Sequence, residues 1–67
     1  MRRYPYIYVY TIIDGFKWYY TGRAGEDYIS KDRTEAFGYA SPDGANHRCN
    51  ILSRGRYNFY VEVITLV

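Results

Sequence analysis

Residues 6 to 13 read Tyr-Ile-Tyr-Val-Tyr-Thr-Ile-Ile, an unbroken run of β-branched and aromatic side chains that predicts a strand. Asp14-Gly15 follows, a pair preferred in two-residue type I′ hairpin turns because both positions need positive φ. A second strand then runs from Phe16 to Thr21 and stops at Gly22. With a two-residue loop, one side of the hairpin sets Ile13 against Phe16, Thr11 against Trp18, Val9 against Tyr20 and Ile7 against Gly22. The other side sets Tyr6, Tyr8, Tyr10 and Ile12 against Arg23, Thr21, Tyr19 and Lys17. The first side has the character of a core. The second, a column of tyrosines, has that of a surface.

From Gly22 to Ser41 the apolar weight drops to Tyr28-Ile29 and Phe37/Tyr39 among Gly25, Asp27, Ser30, Asp32 and Gly38, which predicts a short edge strand near 27 to 30, a turn, and an extended Phe37-Gly38-Tyr39. Ser41-Pro42-Asp43 is a helix start, with serine as N-cap, proline at the first helical position and aspartate favourable to the dipole. The helix is expected to reach Leu52 or Ser53, turning Ala45, Cys49 and Leu52 to the sheet and Asn46, Arg48 and Asn50 to solvent. Ser53-Arg54-Gly55 closes it, with Gly55 available for a left-handed cap. The last strand spans 57 to 66, with Tyr57, Phe59, Val61 and Val63 on the core side and Asn58, Tyr60, Glu62 and Ile64 on the other.

The order strand, strand, short strand, helix, strand predicts an α+β fold: a small antiparallel sheet of three to four strands with one helix on one face. One helix covers one face, so the other is left to solvent, to a second copy of the chain or to a partner. With 67 residues the chain has room for a single domain, 1–67, and buries only about 60% of its unfolded surface. Chains of this size usually need a staple. The lone Cys49 excludes an intrachain disulfide, and with His47 the only histidine there is no Cys/His set for zinc. The segment after Met1 has neither a signal-peptide core nor a membrane span, and both ends of the fold are expected to be held in the sheet of a cytoplasmic protein.

Hydrophobic residues at 48% and charged ones at 24% are ordinary for a globular domain, but aromatics reach 21%, ten of them tyrosine. Tyrosine joins a large ring to a hydroxyl that needs a partner, a combination suited to half-exposed surfaces. A net charge of +2 argues against both duplex DNA binding by charge and an acidic DNA mimic. Catalytic candidates are weak. His47 and Cys49 are two apart on a helix and point away from each other, and a cysteine among apolar neighbours is usually inert. Glu26, Asp27, Asp32 and Glu35 could surround a cation, but Lys31 and Arg33 between them point to a solvated, salt-bridged loop. Gly22-Arg23-Ala24-Gly25 lacks the lysine, serine and following helix of a phosphate loop. No enzyme activity, cofactor or metal is therefore expected.

The site expected instead is the tyrosine column: Tyr6, Tyr8, Tyr10, Tyr19 and Tyr60, rimmed by Lys17 and Arg23, with Arg2 and Arg3 nearby. Tyrosine buries much area with few bonds to freeze, and arginine adds directional hydrogen bonds. The bland reading is cross-strand packing on a solvated sheet. A binding face is favoured, and a protein surface is favoured over single-stranded nucleic acid or a nucleotide stacked on the rings, because stacking modules carry a clearer basic excess. A homodimer closed by two tyrosine faces is an alternative.

Tyr6-Ile7-Tyr8 with Tyr19-Tyr20-Thr21-Gly22 resembles the opening hairpin of GIY-YIG nucleases. It has Tyr6 where that family has glycine and Thr21 where it has isoleucine, and its only late acid, Glu62, falls in a strand rather than a helix, so the resemblance implies a shared hairpin and no nuclease site. Tyr19-Tyr20-Thr21-Gly22, Ser30-Lys31-Asp32 and Glu35 to Ser41 leading into a helix with Ala45 resemble small proteins of bacteriophages and mobile elements, over about two-thirds of the chain. Several of those, anti-CRISPR proteins included, inhibit host defence by stoichiometric binding. The resemblance implies a non-enzymatic inhibitor or adaptor whose partner is a host effector complex.

Overall fold

In the computed structural model, which describes residues 6–64, the chain is an α+β domain. Strand β1 (Ile7–Ile13) turns into β2 (Phe16–Tyr20); a 3-10 turn (Gly25–Tyr28) leads to the short β3 (Ile29–Ser30); a second 3-10 turn (Arg33–Glu35) precedes helix α1 (Pro42–Leu52), and β4 (Phe59–Val63) completes the sheet. The order is β3-β2-β1-β4, with every neighbouring pair antiparallel. Among the described residues no helix is long and apolar enough to cross a membrane. Arg2, Arg3 and the expected end of the last strand at 65 and 66 lie outside the described residues.

The hairpin forms as its turn chemistry requires. Asp14 and Gly15 have φ of 53° and 83°, and the ladder runs Ile13↔Phe16, Ile12↔Lys17, Thr11↔Trp18 and Tyr10↔Tyr19. Beyond Tyr10 the two strands part, and the expected pairing of Ile7 with Gly22 is not made. The extended segment at 37–39 enters the gap instead: Phe37 N–H donates to Tyr20 O at 2.8 Å and Tyr39 N–H to Ile7 O at 2.9 Å. Gly22 permits this, because with φ of 81° it clears the Phe37 ring, which a Cβ would meet at 2.5 Å.

α1 starts where its caps place it, with Ser41 Oγ accepting from Gly44 N–H and Pro42 in the first turn. It ends at Leu52, as expected, but without the glycine cap. Gly55 does not take a left-handed conformation; the helix closes by tighter bonds from Arg54 N–H to Ile51 O and Gly55 N–H to Leu52 O, at 3.3 and 3.0 Å. Ala45, Cys49 and Leu52 pack on the sheet as their spacing implies, around Val9 and Phe59, with Ile7, Tyr20, Tyr28, Ile29, Tyr39, Tyr57 and Val61 at the margin. Thr11 is buried among them because its hydroxyl donates to Asn58 O at 2.7 Å. Val63, expected on the core side, is 50% exposed.

The second face of the sheet is not left bare. The chain leaving β3 crosses it, anchored where Ser30 Oγ donates to Glu35 at 2.5 Å and Arg23 pairs with Glu35 at 2.9 Å. It then slips through the gap between β1 and β2 to start α1 on the opposite side. The inserted strand depends on Gly22, so Gly22→Ala is expected to cost more than Gly15→Ala in urea unfolding. Both incur about 1–2 kcal/mol for positive φ, and only Gly22 adds a collision with Phe37. Equal costs would contradict the insertion.

Candidate functional site on the tyrosine face

β1, β2 and β4 bring Tyr8, Tyr10, Tyr19, Lys17, Tyr60 and Glu62 to one face, because strand alternation puts them all on the side away from α1. Tyr8 is the centre. Its hydroxyl donates to Glu62 Oε1, the Tyr19 ring meets it edge-on with centroids 5.2 Å apart, and the Arg33 guanidinium carbon lies 5.4 Å from its ring centre. Asp32 sets Arg33 there by capping the 3-10 turn, accepting from Thr34 N–H at 2.9 Å and from Thr34 Oγ at 2.7 Å. Tyr10 continues the array, 6.2 Å from Tyr8 and 5.7 Å from Tyr60. Lys17 Nζ closes it, 4.7 Å above the Tyr10 ring and 3.2 Å from Glu62 Oε1.

This arrangement divides the expected site. Tyr8 was expected on a surface, but it is only 2% exposed, enclosed by the crossing chain, so it supports the face rather than contacting anything beyond it. Tyr10 and Tyr19 are half-buried, and Tyr60 (48%) and Ile12 (46%) stand open beside them. Tyr6 is exposed at the start of β1. Arg23 belongs to a separate cluster with Glu35 and Ser30. Ile12 and Glu62 were placed on this face by alternation but without a role. Arg33 was missed, since a loop residue carries no periodic signal.

The electrostatics follow from these contacts. Burial, then the hydrogen bond to Glu62, pushes the Tyr8 phenol well above the usual tyrosine range, so it is a neutral donor and not a nucleophile. Glu62 is held below the ordinary glutamate range, first by the Tyr8 hydroxyl and also by Lys17, against opposing desolvation. Glu35 is lowered by Ser30 and Arg23.

The other candidates do not converge. Among the described residues no group of three or more His, Cys, Asp or Glu is placed to hold a metal ion. Lys31 does not bridge the loop acids; its Nζ sits 4.7 Å over the Phe16 ring and 5.1 Å over Trp18. An open depression of about 310 Å³ at the β2–β3 corner is lined by Trp18, Arg23, Asp27, Ile29, Ser30, Lys31 and Glu35, but its Arg23 and Glu35 pair with each other. The Cys49 thiol donates to Phe59 O at 3.0 Å, and His47 is exposed on α1.

Because Glu62 has a lowered pKa when folded, the unfolded chain binds that proton more readily. Its contact with Tyr8 therefore stabilises the fold above the ordinary glutamate range and is lost as pH falls through the lowered value. Thermal melts are expected to show stability falling on acidification, with Glu62→Gln flattening that fall. Tyr8→Phe removes the hydroxyl that lowers Glu62 and is expected to cost about 1 kcal/mol at neutral pH while flattening it too. An unchanged acid dependence in both variants would contradict this assignment.

Compared with protein-family models, with curated proteins and with solved structures, the chain matches none of them.

Proposed function

We propose that this chain is a non-enzymatic binding domain acting in the cytoplasm as a stoichiometric inhibitor or adaptor, of the kind phages direct against host defence effectors. It seats the open half of its tyrosine face, Tyr10, Tyr19 and Tyr60 with Ile12 and Lys17, on a protein partner. The observation that carries this reading is a contiguous exposed ring-and-aliphatic patch set on an immobilised base. Tyr60, across the ladder from Tyr10, and Ile12, next along β1, are each about half exposed, and the Tyr10 and Tyr19 rings beside them are packed on Tyr8, which Glu62 and Arg33 hold. Rings already fixed in place lose little freedom when a partner covers them, so more of the contact energy appears as affinity.

A protein surface suits this patch better than a nucleic acid. Lys17 already faces Glu62 at 3.2 Å and Arg23 faces Glu35 at 2.9 Å, so an incoming phosphate competes with a carboxylate for each cation. Stacking of bases on Tyr10 and Tyr60 is the alternative, and it carries a distinct salt dependence.

The test is capture of partners from host lysate by the tagged protein, with and without nuclease. Tyr60→Ala is expected to keep the circular dichroism and melting behaviour of the parent and to weaken binding on the order of thirtyfold, the size of a hot spot of about 2 kcal/mol. A nuclease-resistant, stoichiometric protein partner lost in Tyr60→Ala supports the proposal. Capture of nucleic acid alone, falling steeply with salt, or binding indifferent to Tyr60 overturns it.

A further inference from the structure

The β1–β4 ladder determines where each backbone group of β4 points. Ile64 N–H donates to Tyr6 O at 2.7 Å, and the register runs Ile7↔Val63, Tyr8↔Glu62, Val9↔Val61, Tyr10↔Tyr60 and Thr11↔Phe59. Even-numbered residues of β4 therefore exchange hydrogen bonds with β1, and Phe59, Val61 and Val63 turn their N–H and C=O groups to the outer edge of the sheet. Phe59 is satisfied from that side already: its N–H donates to Ser53 Oγ at 2.9 Å and its carbonyl accepts from Cys49 Sγ at 3.0 Å. Ser53, just after α1, also donates to Phe59 O, so the C-terminal end of the helix blocks the edge at Phe59. Among the described residues nothing reaches the outward groups of Val61 and Val63.

We propose that this free stretch pairs with the same stretch of a second copy of the chain, antiparallel about a two-fold axis through Glu62. In that register Val61 faces the second copy's Val63 and the reverse, and both members of each pair turn their backbone groups toward the seam. Centring the axis on Val61 instead sets Val63 against Phe59, whose bonds are taken by α1. A second copy brings the same block at Phe59 and the same two described edge positions, Val61 and Val63, so the two stretches match position for position. β4 carries no lysine or proline to repel another edge, and Val63 is 50% exposed beside it. The two Glu62 side chains that meet on the axis each arrive with Lys17 at 3.2 Å and the Tyr8 hydroxyl, so the seam does not set bare carboxylates together.

Among the described residues the enclosed cluster beneath α1 is Val9, Ala45 and Phe59, a core small enough for contacts with a second copy to add to its stability. The axis lies perpendicular to the sheet, so both tyrosine faces stay on one side, and the pairing is independent of what they bind. With one pair of edge residues repeated about the axis the seam is short, and the dimer is expected to dissociate on dilution.

Sedimentation equilibrium from micromolar to millimolar concentration tests this. The mass is expected to rise from the 8.0 kDa of one chain to twice that value. Val63→Pro removes an outward N–H without touching the bonds that Glu62 and Ile64 make to β1, and it is expected to stay at the mass of one chain. Val63→Lys, an edge lysine, is expected to do the same and covers the case in which the proline variant fails to fold. The proposal is overturned by a parent chain that is monomeric throughout, or by a folded Val63 variant that dimerises like the parent. A dimer abolished by Tyr60→Ala but retained in Val63→Lys overturns it as well, in favour of packing through the tyrosine faces.

Discussion

A four-stranded sheet with a single helix has two faces and one cover, and most of this structure answers that constraint through one contact, Arg33 set over the ring of Tyr8. Carrying the β3–α1 connection across the second face encloses a residue that sheet alternation alone leaves open, and Tyr8 becomes as well buried as the core beneath α1. The route imposes a condition on the sheet. The chain reaches the helix side between β1 and β2, where Phe37 bonds to the Tyr20 carbonyl of β2 and Tyr39 to the Ile7 carbonyl of β1, groups that the hairpin register would otherwise turn to Val9 and Gly22. Gly22, with no Cβ to meet Phe37, keeps that passage open.

The enclosure of Tyr8 gives the tyrosine face its division of labour. A buried phenol needs a hydrogen-bond partner, and Glu62 supplies it from the neighbouring strand. Glu62 in turn holds Lys17 over Tyr10, so the ring array has fixed members behind an open margin of Tyr60 and Ile12. Each edge-to-face or tilted ring pair of this kind contributes roughly 0.5–1.5 kcal/mol beyond its buried area, and the array therefore serves stability as well as any contact it makes. Lys17 and Arg23 on this side are each paired with a carboxylate, and Arg33 lies over the Tyr8 ring, which lessens the basic character of the face.

What could be read from the residues was what local chemistry decides. The Asp14-Gly15 turn sets the hairpin register by itself, and Ser41-Pro42 sets the helix start. Alternation placed Tyr8, Tyr10, Tyr19, Tyr60 and Glu62 on one side correctly, because a period of two assigns sides without reference to the rest of the fold. It cannot say what lies over a side, and the burial of Tyr8 depends on the path of residues 31 to 36, a polar segment with no periodicity. The extended Phe37-Gly38-Tyr39 was legible as a conformation but not as an insertion, since that depends on strands far away in the chain. Gly55 shows the converse: a glycine past a helix end permits a left-handed cap, but Ser53 is drawn to Phe59 and the last turn tightens instead.

Residue-resolved nitration of the folded protein, read by mass spectrometry, tests most directly whether the tyrosine face is a buried anchor with an exposed margin. Tyr60 and Tyr6 are expected to be modified readily, and Tyr8 only under conditions that unfold the chain. Modification of Tyr8 at a rate matching Tyr60 would mean that the crossing segment does not cover it, and the account of both the fold's second face and its binding surface would fail.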